Sequence, residues 1–191
     1  MTKAAILKAL EKKVLICKKC ALHKKRKHAV FGSGSFSSKI MIIGESPGTR
    51  EDLLGKPFVG KAGEILNECL KKANLKKDQI FITNLVKCHP LKNRDPKIYE
   101  IEMCTKNYLD RQIDLIKPKI IITLGRFATK YLFKKFNLSF SKISKCHGKS
   151  FEITINKKPL KIISMYHPAY ALYNPKIKKI IEKDFKKLKN L

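Results

Sequence analysis

"KIMIIGESPG", residues 39–48, carries four consecutive apolar residues into a polar turn bounded by glycines. A run that is apolar at every position, instead of at alternate ones, suits a strand covered on both faces, as in a parallel sheet flanked by helices. The turn also matches G-x-S-x-G, the elbow in which a serine attacks and the next backbone N–H binds the oxyanion. Here the next residue is Pro47, and proline has no N–H to donate. The segment that follows, "TREDLLGKPFVGKAG" (49–63), places two glycines and a second proline before a convincing helical run. Ser46 is therefore a poor nucleophile. The turn is better explained as a ligand edge, because open α/β sheets bind their ligands beyond the carboxyl ends of the strands.

Working outward, "QIFITN" (79–84) and "KIIITLG" (119–125) repeat the continuous apolar pattern, while "SFEITI" (150–155) and "LKIISMY" (160–166), joined through "NKKP" (156–159), read as an edge hairpin. Apolar residues at three- and four-residue steps predict helices near 3–16, 61–73, 97–116, 126–136 and 176–189. The alternation predicts an α/β chain folded as a three-layer α/β/α sandwich, in one domain spanning 1–191. No internal repeat, low-complexity tract or composition shift marks a second domain.

The 43 Lys and Arg residues outweigh 15 Asp and Glu, for a formal charge of +28. The charge is spread along the chain, with "HKKRKH" (23–28) its densest run, so part of it is ordinary solvated surface. Self-repulsion of this size is most readily understood if phosphates neutralise some of it, which favours nucleic acid over a membrane surface. No apolar run reaches spanning length, and the first twenty residues carry charges through their apolar part, unlike a signal peptide. A cytoplasmic protein without a membrane partner is expected.

Six cysteines in a reducing compartment are ligands or core residues before they are disulfides. Cys17 and Cys20 form a C-x2-C pair, and Cys88 and Cys104 bracket "KCHPLKNRDPKIYEIEMC" (87–104). Cys69, inside the apolar-patterned "AGEILNECLKKA", reads as core, and Cys146, in a polar loop beside His147, as incidental. Four thiolates also satisfy zinc, but one tight pair plus two isolated cysteines better suits a four-thiolate iron–sulfur cluster.

Together "GESPGTREDLLGKPFVGKAG" (44–63), "TNLVKC" (83–88), Cys104 and "YHPAYALYNP" (166–175) resemble the iron–sulfur uracil-DNA glycosylases called family four. The resemblance runs from Cys17 to Pro175 in the family's order. It implies a central, mainly parallel four-stranded sheet, a [4Fe–4S] cluster on Cys17, Cys20, Cys88 and Cys104, and a monomer that excises uracil from double- or single-stranded DNA. An enzyme that works on a base must flip it from the stack and read its edge in a pocket. Asn84 offers one donor and one acceptor to uracil O4 and N3–H. Phe58 stacks on the ring, and Gly44 and Ser46 complete the pocket. His167 is implied as the donor to O2, and Glu45 as the carboxylate that handles the water. Leu172 is the wedge for the vacated stack, with Lys87, Lys92 and Arg94 as phosphate contacts. The chain departs from the family at Tyr173, where an arginine is usual, and at Ser46, where relatives carry an acid or asparagine. It lacks the basic insertion of the relatives that crosslink to DNA, and Glu45 separates it from family five. The alternative is a catalytically silent iron–sulfur module that binds DNA.

Overall fold

In the computed structural model, which describes residues 1–155 and 157–190, the apolar runs form one sheet. Its strands are β1 Ser33–Gly34, β2 Ile40–Gly44, β3 Ile80–Asn84, β4 Ile120–Leu124, β5 Lys149–Ile155 and β6 Lys158–Met165, in the order β1-β3-β2-β4-β6-β5. β2 runs parallel to β3 and β4, and β4 to β6, whereas β1 and β5 lie antiparallel on the two edges. The sheet is thus six-stranded and mixed, which corrects the expected four strands. β1 is only two residues long and exposed, within a glycine-rich stretch that shows no strand pattern. Ile155 pairs with Lys158 in the β5–β6 hairpin; Asn156 of the connecting "NKKP" lies outside the described residues.

The helices are α1 Lys3–Leu15, α2 Thr49–Leu54, α3 Lys61–Lys72, α4 Ile98–Cys104, α5 Asp110–Ile116, α6 Gly125–Lys135, α7 Ile143–Cys146 and α8 Pro175–Lys186. The helix expected over 97–116 is broken by a π-turn, Thr105–Leu109, directly after Cys104. Such turns are rare and concentrate at functional sites. Cys146, expected in a polar loop, is instead buried at the end of the short helix α7.

Strand side chains alternate between faces, and the core divides accordingly. Met41, Ile43, Phe81, Ile121 and Ile162 pack with Leu7, Leu10 and Val14 of α1, Ile113 of α5, and Leu132 and Phe133 of α6. Ile40, Ile42, Ile82, Ile122 and Ile163 pack with Leu66, Cys69 and Leu70 of α3, and Ile181 and Phe185 of α8. Helices therefore cover both faces, which is why the inner strands read as unbroken apolar runs. Truncating one of them, as in Ile42→Ala, leaves a cavity that costs about 2–5 kcal/mol. Among the described residues no helix is long and apolar enough to cross a membrane. From β2 the chain moves to β3 on one side and later to β4 on the other, so the carboxyl ends of β2 and β4 diverge at a switch point.

Candidate functional site

Gly44 ends β2 and Asn84 ends β3, paired in register. A Cβ built on Gly44 would lie 2.4 Å from Asn84 Oδ1 and 2.8 Å from Phe58 Cζ, so only glycine lets the amide and the ring meet here. Asn84 is 2 % exposed, and its Oδ1 is buried with no hydrogen-bond partner among the described residues. An unpaired buried acceptor costs free energy unless a ligand completes it. Phe58 is buried and held at φ 51, in the left-handed region that phenylalanine rarely adopts. Gly63 of α3 makes this possible, since a Cβ there would stand 2.0 Å from the Phe58 carbonyl oxygen.

His167 follows β6 and faces Phe58, with ring centroids 5.9 Å apart. Its Nδ1 accepts from the Ala169 N–H at 3.2 Å, which leaves the ring proton on Nε2. Burial pushes the imidazole down to about 4, although the residue as a whole is only half-buried. It is a neutral donor at physiological pH. Glu45, half-buried at the turn, is pushed up to about 7, first by desolvation and then by Asp95, against the opposing pull of Arg126. Ser46 lies half-buried beside it.

The helix after the turn exists after all, which corrects the expectation from "TREDLLGKPFVGKAG". α2 begins at Thr49 with Glu51 as its third residue. Glu51 Oε2 accepts from Gly48 N–H (3.1 Å), and its Oε1 accepts from Val59 and Gly60 N–H (both 2.8 Å). This one buried carboxylate caps α2 and ties the G-E-S-P-G turn to the P-F-V-G loop. His89 Nδ1–H donates to the Pro47 carbonyl oxygen at 2.9 Å, bracing the turn from the other side. The strand–turn–helix shape is present, but Pro47 still withholds the N–H that an oxyanion would need.

Cys17, Cys20, Cys88 and Cys104 line one cavity, with Arg26, Lys87, Met103 and Tyr108. Among the described residues no three Cys, His, Asp or Glu side chains are grouped as a site for a metal ion. Arg26 Nη1 donates to Cys88 Sγ at 3.0 Å, and the Lys19 N–H to Cys17 Sγ at 3.5 Å. Donors aimed at sulfur are the outer shell that thiolate ligands of a cluster receive. The donor set fits an iron–sulfur group. Cys69 is fully buried in α3, as expected of a core residue.

Residues 31–189 match the uracil DNA glycosylase superfamily. Three proteins named type-4 uracil-DNA glycosylase align along most of the chain. The one from Sulfurisphaera tokodaii is 50% identical over 97% of this chain and 84% of its own length. That from Saccharolobus solfataricus is 51% identical over 91% of this chain and 80% of its own, and that from Archaeoglobus fulgidus 43% over 94% and 90%. The chain belongs to the type-4 uracil-DNA glycosylases. Of the residues expected to grip DNA in such a glycosylase, Lys92 is exposed and held at φ 56, beside Asn93 at φ 54. Leu172 is 41 % exposed on a 3-10 turn, Pro168–Leu172, that begins at His167, and Tyr173, standing where arginine is usual, is 87 % exposed.

One of the expected phosphate contacts is corrected, and another carries a structural bond as well. Lys87 is 1 % exposed and hydrogen-bonded internally, so it cannot reach DNA. Arg94 forks onto the buried carboxylate of Glu100 at 2.7 and 2.9 Å and donates to the Asp95 carbonyl oxygen. It braces the loop between Cys88 and Cys104. Sequence reasoning missed Glu51, His89 and Arg26 in this glycosylase. Only Glu51 left a signal, as an acid three residues beyond a glycine N-cap.

Proposed function

We propose that the protein flips uracil out of DNA and hydrolyses its N-glycosidic bond, leaving an abasic site. The observation that carries this reading is the buried, unpartnered Asn84 Oδ1 beside the rings of Phe58 and His167. Uracil N3–H supplies the missing donor, O4 accepts from the Asn84 amide nitrogen, and the ring stacks on Phe58. As the C1′–N1 bond breaks, its electron pair moves onto the base and charge collects at O2, where His167 Nε2–H donates. A neutral imidazole suits this task, because its donation strengthens as the anion develops. Water attacks C1′ from the Glu45 side, and its proton passes to the carboxylate, whose raised affinity for protons fits a base. Glu51 fixes the two loops that carry Glu45 and Phe58.

Cys17, Cys20, Cys88 and Cys104 would hold a [4Fe–4S] cluster, which when bound serves as a structural anchor for the loop 88–104. Leu172 fills the vacated stack and Lys92 contacts phosphate. Incubation with a labelled duplex containing one uracil, followed by alkali, tests the activity: cleavage at the uracil position is expected. An intact strand with tight binding would instead favour a silent DNA-binding module.

A further inference from the structure

Lys87 Nζ donates to Thr83 Oγ1 (2.6 Å), to the backbone carbonyl oxygen of Asn84 (2.8 Å) and to Gln112 Oε1 (2.7 Å). An ammonium has three hydrogens, and all are used. The acceptors are themselves fixed: Thr83 Oγ1 and Gln112 Nε2 both donate to the Phe31 carbonyl oxygen, at 2.8 and 3.0 Å. None of Lys87's partners carries a charge, and a buried ammonium without a counter-charge is costly. The residue also borders the cysteine cavity together with Cys88 and Cys104. Four thiolates holding an iron–sulfur cluster carry net negative charge, which supplies what the hydrogen-bond partners do not.

We propose that Lys87 is a positioning residue that links the cysteine-held cluster to base recognition, its ammonium balanced by the cluster on one side and fixing the Asn84 backbone on the other. The inference rests on the function proposed above and deepens it. Asn84 has its side-chain oxygen free for uracil because its main chain is anchored by Lys87 instead. The link also gives a structural cluster a route to the pocket: losing the cluster leaves the ammonium unbalanced at the residue that reads the base.

The test compares wild-type holoprotein, prepared without oxygen, with Lys87→Met, which keeps the stem and removes the charge. Visible absorption and iron content report the cluster, its reduction potential reports nearby charge, and single-turnover rates report excision. Lys87→Met is expected to retain the cluster, to lower its reduction potential because a positive neighbour is lost, and to slow uracil excision roughly ten- to a hundred-fold with duplex affinity unchanged. If either the potential or the excision rate stays at the wild-type value, the link is overturned. Should Lys87→Met not yield folded protein, Thr83→Val deletes one acceptor and keeps the charge. Slower excision at an unchanged potential then supports the link, and an unchanged rate overturns it. A wild type that lacks a cluster or leaves uracil intact overturns the underlying function as well, whereas a competent wild type with an unaffected variant overturns Lys87 alone.

Discussion

Asn84 Oδ1 has no hydrogen-bond partner among the described residues, so its specificity is open to direct test. Asn84→Asp replaces the amide donor with a second acceptor, and a mispaired buried group costs about 1–3 kcal/mol, roughly ten- to a hundred-fold in rate. Uracil excision is expected to fall at least that far, with weak cytosine excision gained, while Asn84→Ala loses uracil and gains nothing. Single-turnover rates on uracil and cytosine duplexes decide, and undiminished uracil excision in Asn84→Ala would remove the residue from the pocket. Glu45 makes a prediction in pH. Its folded pKa of about 7 lies above the ordinary carboxylate value, so the protonated form is favoured by folding and stability is lost as pH rises through 7. Glu45→Gln should match the wild type in stability at about pH 4 and exceed it at about pH 8 by an amount on the order of 2 kcal/mol. The ionised form is the base, so wild-type excision should rise with pH through about 7, and Glu45→Gln should be slow and flat. His167, with a pKa of about 4, adds no limb in that range. A limb that persists in Glu45→Gln would assign it to another group.

At the scale of elements, the loops are set by a few anchors, and these differ in how visible they are in sequence. Cys17, Cys20, Cys88 and Cys104 surround one cavity; each changed to Ala should bleach the visible absorption of anaerobically purified protein, while Cys69→Ala and Cys146→Ala keep it. A colourless wild type carrying one zinc per chain would defeat the cluster. Glu51→Gln weakens three charge-assisted bonds at once, and each is worth about 1.5–3 kcal/mol to a charged acceptor. It should lower Tm and reduce kcat more than it raises KM, because the loops carrying Glu45 and Phe58 lose their shared tie. Unaltered kinetics with a lowered Tm would leave Glu51 a purely structural cap. The strands β2, β3 and β4 were legible because burial on both faces writes itself as an unbroken apolar run, and the C-x2-C pair was legible from spacing alone. β1 was not, being two exposed residues held by pairing and not by pattern. Arg26 meets Cys88 across 62 residues and Gln112 meets Phe31 across 81, separations over which one sequence carries no local signal. Lys87 was misread for the same reason: its letter announces charge, and only the fold shows which way the side chain turns.

Across the whole molecule, an excess of 28 positive charges does not translate into 28 phosphate contacts. Lys87 is buried, Arg94 is committed to Glu100, and Arg126, Lys135 and Lys161 pair with carboxylates. Each phosphate neutralised on duplex DNA contributes a slope of about −0.9 to log affinity against log salt, so the slope counts the contacts directly. A grip of about four phosphates around a flipped base would weaken binding roughly a hundred-fold between about 50 and 200 mM salt. Lys92→Ala should reduce the slope by about one contact. Lys87→Met should leave the slope unchanged, although it removes the same formal charge, because a residue with 1 % exposure releases no counterion on binding. Affinity that hardly responds to salt would mean that the lysine-rich surface is solvation alone. A slope that falls equally in both variants would mean that net charge, and not the placement of particular side chains, sets the grip on DNA.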